Sequence, residues 1–189
     1  MPQVKKEIKI IKKQIISVLI LFFMFVMIFS TINVGWAAEN DTNLAQNITA
    51  GSLGMASPGN LNFTNIALTD SQQNSNTNLN GVNVTDYRGS AAGWNLTVYA
   101  DNLVAGTNNI DVTARLNVTP GQVSSDDEAA AGSPFMMPND SGSAVTLMNA
   151  APDNGTGLSN ITNSVFMLNI ESTDLVGTYT ATMTFTVSS

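Results

Sequence analysis

From Leu61 onward, apolar and polar residues alternate with a period of two. Trp94, Leu96, Val98 and Ala100 alternate with Asn95, Thr97 and Tyr99. Ile110, Val112, Ala114, Leu116 and Val118 alternate with Asp111, Thr113, Arg115 and Asn117. Phe166, Leu168 and Ile170 face away from Met167 and Asn169, and Tyr179, Ala181, Met183, Phe185 and Val187 alternate with a column of threonines from Thr178 to Thr186. Period two is the repeat of a strand with one buried face. Threonine, β-branched and polar, suits the wet face. Shorter strands are expected at Leu61–Phe63, Val82–Val84 and Val145–Leu147. Turn residues part these runs, and the short Asp174–Gly177 link predicts a terminal hairpin. Ser71–Asn80 is polar throughout and reads as a loop. Pro120–Gly142 reads as an excursion across one end of the domain or a partly disordered insertion. Short strands joined by Gly/Asn/Pro turns predict an all-β fold, an antiparallel β-sandwich.

The first forty residues break this pattern. Five lysines between Lys5 and Lys13 precede an apolar stretch, Ile15–Phe29, and then the small residues Gly35, Ala37 and Ala38. That order is the secretory signal pattern, an N-terminal signal-peptide helix cleaved after Ala37. The apolar stretch falls short of the ~20 residues that span a membrane, and an uncleaved anchor is the alternative. Three segments result: a leader over 1–38, a flexible lead-in over 39–58 and a β-domain over 59–189. The chain ends after a strand-like run with no apolar tail, so retention at the surface is expected to be non-covalent.

Charge narrows the partners. From residue 39 onward the chain keeps two of its seven basic residues and thirteen of its fourteen acidic ones, a net charge of −11. Such a surface repels nucleic acid and anionic lipid, so membrane contact is expected only through an uncleaved leader. The chain has no cysteine and no histidine. The usual nucleophile–base pairs and common zinc sites cannot be built without them. No enzyme and no cofactor are expected. Asp126, Asp127 and Glu128 form an acidic run that reads as a solvated loop, with a weak calcium site as the alternative.

One segment is more specific. Val84–Val98 contains Asp86, Arg88, Gly93, Trp94, Leu96, Thr97 and Val98 in the order Asp-x-Arg, a short Gly-containing stretch, then Gly-Trp-x-Leu-Thr-Val. It resembles the first signature of WxL-domain proteins, Gram-positive surface proteins that bind the cell wall non-covalently. The family's second signature is a closing strand that begins with Tyr and carries another Trp-x-Leu. Here Tyr179 opens that strand, Phe185 stands for the tryptophan and Val187 for the leucine. The resemblance implies a secreted protein held at the cell wall, with peptidoglycan or a wall polymer as partner and other surface proteins as further contacts. It marks Asp86, Arg88, Gly93, Trp94, Leu96, Tyr179, Phe185 and Val187 as the wall-binding motif. On their own chemistry, Trp94 reads as a core plug and Asp86 with Arg88 as a pair that pins a turn. The rival readings are a structural subunit of an extracellular fibre or surface layer, and a glycan-binding or adhesion module.

Overall fold

The computed structural model describes residues 2–29, 44–56 and 58–189, with side chains in the first stretch at 6–25. The chain divides into two units, 1–47 and 48–189. In the first, helix α1 spans Pro2–Phe29, and its apolar side chains from Ile8 to Phe25 are exposed. No helix among the described residues is long and apolar enough to cross a membrane. The expected cleavage residues Gly35, Ala37 and Ala38 lie outside the described residues.

The second unit is the sandwich. Its strands are β1 (Leu53–Met55), β2 (Gln73–Leu79), β3 (Val82–Asp86), β4 (Trp94–Ala100), β5 (Leu103–Ala105) and β6 (Asn108–Ile110). A single helical turn, α2 (Val112–Arg115), leads to β7 (Leu116–Thr119), β8 (Gln122–Ser125), β9 (Ala129–Ala131) and β10 (Phe135–Met136). The chain closes with β11 (Val145–Ala150), β12 (Gly157–Thr162), β13 (Ser164–Ile170) and β14 (Met183–Ser188). Three four-stranded sheets form, in the orders β1-β3-β12-β8, β10-β7-β13-β2 and β14-β4-β11-β9, with β5 and β6 as a small ribbon. Every pairing is antiparallel. One apolar cluster joins the sheets, with Trp94, Leu96, Val98, Val82, Val84, Phe166 and Leu147 all buried. The expected all-β sandwich is what forms.

Several local expectations are corrected. Ser71–Asn80 is not a loop, because Gln73–Leu79 pairs along its whole length with β13. Its ladder is made by backbone groups, so a polar sequence suffices, and only Ser75 and Leu79 turn into the core. The expected strand from Ile110 to Val118 is broken by α2. The Asp111 carboxylate accepts from the Thr113 backbone N–H and hydroxyl, and Asn102 Oδ1 accepts from the Val112 N–H. This is N-cap chemistry, and it favours a helical start. Val112 and Leu116, four apart, both reach the core while Ala114 is exposed.

The terminal hairpin does not form either. β13 lies in the second sheet and β14 in the third, so the link crosses between layers. Asp174 is held by the Arg115 guanidinium and accepts from the Glu171 N–H, which fixes the turn on the β13 side. Thr180 then exchanges two backbone hydrogen bonds with Val104, of 2.9 and 3.1 Å. Strand β14 therefore begins at Met183, and Ala181, expected inside, is exposed. The Pro120–Gly142 excursion is ordered. It supplies β8, β9 and β10, an edge strand to each of the three large sheets, and it buries Met137 completely. Leu61–Phe63 forms no strand, whereas Leu53–Met55, inside the stretch expected to be a flexible lead-in, pairs with β3.

Candidate functional site

Four of the marked residues meet at one corner of the sandwich. Asp86 ends β3 in one sheet and Trp94 begins β4 in another, so the intervening turn must carry the chain between sheets within a few residues. Arg88 Nε and Nη2 donate to the two carboxylate oxygens of Asp86 at 2.9 and 2.7 Å. The Arg88 N–H adds a bond of 3.0 Å to Asp86 Oδ1, and Nη2 reaches on to the Gly93 carbonyl at 2.9 Å. A planar guanidinium fits this two-oxygen acceptor as lysine could not. Asp86 is 1 % exposed, and the hydrogen bonds from Arg88 hold its pKa below the ordinary carboxylate value although burial pushes the other way. The pair thus ties both ends of the turn together.

Gly93 is required by its position. Its φ is +73°, and a Cβ there would lie 2.7 Å from the Ala150 carbonyl oxygen. This close approach sets Trp94 against the 150–158 turn. The indole is 2 % exposed, and its Nε1–H donates to the Gly155 carbonyl at 2.9 Å. Leu96 beside it is fully buried. Trp94 is therefore a core plug with its one polar atom satisfied.

The residues that receive the indole carry no mark in the sequence beyond an ordinary-looking Asp-Asn-Gly turn. Gly155 has φ +82°, and a Cβ on it would meet Trp94 Nε1 at 2.6 Å. The acidic run is the clamp on that turn. Asp127 accepts from the Thr156 N–H and hydroxyl through Oδ2, and its carbonyl accepts from the Gly155 N–H at 2.8 Å. Asp126 Oδ2 accepts from the Leu158 N–H at 2.9 Å. So Asp127, half-buried, and Asp126, exposed, both anchor the turn, while Glu128 stays exposed as a solvated loop residue would. No group of three or more acidic, cysteine or histidine side chains is placed to hold a metal ion among the described residues. The calcium alternative has no geometry behind it: the two aspartates bind backbone N–H groups instead of converging.

The second set lies one strand away. β14 pairs with β4 so that Val187 faces Leu96 and Phe185 faces Val98. The two Trp-x-Leu positions are thus cross-strand neighbours on the core side of one sheet. Trp94, Leu96 and Val98 are central and buried, but Phe185 and Val187, on the edge strand, are only half-buried. Tyr179 is half-buried too, with its hydroxyl donating to the Leu175 carbonyl at 2.9 Å. Phe185 and Tyr179 also line a groove of about 1520 Å³ between the 58–68 segment and the 174–185 stretch.

Fold and corner together define a β-sandwich module whose most specific residues serve architecture and which leaves one side open. The family model described as "WxL domain surface cell wall-binding" matches residues 37–189, and the chain belongs to that family. This places it at the cell surface, in a cell wall-binding family and not an enzymatic one. No curated protein and no solved structure matches the chain.

Proposed function

We propose that this chain is exported by its leader and attaches non-covalently to peptidoglycan, or to a polymer carried on it, through the sandwich of residues 59–189. The observation that carries the reading is the family match over residues 37–189. The first signature supports it, since Asp86, Arg88, Gly93 and Trp94 assemble into one hydrogen-bonded corner. The leader is removed after Ala37, on the pattern of its basic head, apolar core and small residues. The domain works by adhesion and performs no catalysis, because the chain lacks the histidine and cysteine of common reaction centres.

A net charge of −11 beyond the leader opposes attraction to anionic wall polymers. Like charges repel over a Debye length of ~10 Å at moderate salt, so attachment that relies on polar and aromatic contacts persists or strengthens as salt rises. The test is sedimentation of the purified protein with protein-free Gram-positive cell walls across a salt series. Co-sedimentation that holds at high salt is expected. A folded protein that stays in solution at every salt concentration would remove wall attachment and leave the structural-subunit reading, which filament formation would then support.

A further inference from the structure

Resting on the attachment reading, we propose that the groove between the 58–68 segment and the 174–185 stretch is the polymer-binding cleft, and that it takes the uncharged N-acetylated glycan strand of the wall and not its peptides. The marked residues of the first signature are largely closed to a polymer: Asp86, Trp94 and Leu96 are all at most 2 % exposed, and Arg88, 21 % exposed, is tied to Asp86 and the Gly93 carbonyl. Of the three half-buried residues of the second set, Tyr179 and Phe185 line this groove, and Val187 lies further along β14. Its volume, about 1520 Å³, exceeds the ~300–1,000 Å³ of small-molecule pockets, as a cleft for a polymer segment would.

The lining matches a sugar chain. Phe63, Tyr179 and Phe185 are half-buried rings that pack on the core and also face the groove. A sugar ring has an apolar C–H face that lies on such rings and an edge of hydroxyl and amide groups. Asn60, Asn62 and Asn65, all exposed, border the same space with amides that can donate and accept. Among the described residues, Asp174 is the one charged residue that lines the groove, and it is tied to Arg115. A domain of this acidity that keeps its groove free of unpaired charge suits a neutral ligand. Wall peptides carry carboxylate and ammonium groups, which would find no partner there and would lose hydration on entering.

The test compares two faces of the same region with equal charge changes. Asn62→Glu and Thr178→Glu place a carboxylate at the groove, at exposed positions. Thr186→Glu places one on the opposite face of β14, where Thr186 is exposed and pairs across to Thr97. Tyr99→Ala removes the ring on that same outer face. Thermal midpoints of all four are measured beside wall sedimentation, with a hexamer of N-acetylglucosamine and a synthetic wall peptide as competitors. We expect the two groove variants to bind walls about tenfold more weakly or worse, the loss typical of a disturbed binding centre. The outer-face variants stay near wild type, and the sugar hexamer competes where the peptide does not. Equal losses on both faces, losses confined to the outer face, or competition by the peptide alone would overturn the glycan cleft while leaving wall attachment intact. Hexamer binding in the groove without wall sedimentation would instead overturn attachment and keep the cleft.

Discussion

The corner around Trp94 and the open side along β14 use the same residue types to opposite ends. At the corner, the marked polar side chains bond within the protein: Arg88 with Asp86 and Gly93, Trp94 with Gly155. Two glycines at positive φ allow the approach, and two aspartates clamp the receiving turn. On the open side, aromatic rings at Phe63, Tyr179 and Phe185 are half-buried and face a groove. The difference is one of strand position. β4 is central in its sheet and β14 is at the edge, so equivalent core-facing positions are closed in one and accessible in the other. The conspicuous motif is therefore chiefly architectural in this fold, with its indole turned inward to Gly155.

The comparison breaks most sharply at Trp94. Trp94→Ala should destabilise by ~3–5 kcal/mol, the usual cost of deleting a large buried aromatic. Against a total of ~5–15 kcal/mol, chemical denaturation will show a large part of the stability gone. A wild-type-like midpoint would mean the ring is no core plug. Gly155→Ala should cost less, ~1–3 kcal/mol, because a side chain at φ +82° is strained and crowds the indole. The same substitution at exposed Gly106, also at positive φ but with open space around it, isolates the crowding component.

Acid titration probes the Asp86–Arg88 pair. The Asp86 pKa is lowered in the fold, as is that of Asp174 beside Arg115. A depressed carboxylate contributes stability that is complete above its unfolded value of ~3.9 and lost as pH falls through the folded value. Denaturation midpoints should be flat from neutral pH to near pH 4 and fall below it. In Arg88→Gln the Asp86 carboxylate keeps its burial and loses its main partner, so the variant should be less stable at neutral pH and its further loss below pH 4 should be smaller than that of the wild type. An unchanged profile would show that the pair contributes nothing to the corner. The smallest effect is on the open side. Phe185→Trp with Val187→Leu adds volume next to a groove instead of inside a closed core, so it should cost under ~1.5 kcal/mol and tighten wall binding. Weaker wall binding with an unchanged thermal midpoint would count against β14 as a contact strand.

Much of this was legible before the fold. Alternation marked Trp94–Ala100 as a half-buried strand, and the scarcity of cations pointed to an acidic partner for Arg88, which is Asp86. What escaped depends on distant partners. Gln73–Leu79 is polar and is a strand only because β13 supplies its ladder. The alternation through Val112 continues, yet one capping aspartate converts it to a helical turn. The Asp174–Gly177 link is short enough for a hairpin, but the Arg115 contact and the Val104–Thr180 bridge carry the chain to another sheet. Gly155 and Asp127 belong to the Trp94 corner through contacts across 61 and 29 positions of sequence, which no local pattern announces.

The central claim is that the intact signature is scaffold and the open side meets the wall. Hydrogen–deuterium exchange of the full chain, with and without sonicated Gram-positive walls, tests it directly. The account predicts new protection in residues 58–68 and 175–185, with 84–94 and 150–158 unchanged because their marked side chains are held by protein partners. Protection centred on 84–94, with the groove segments unaffected, would contradict it.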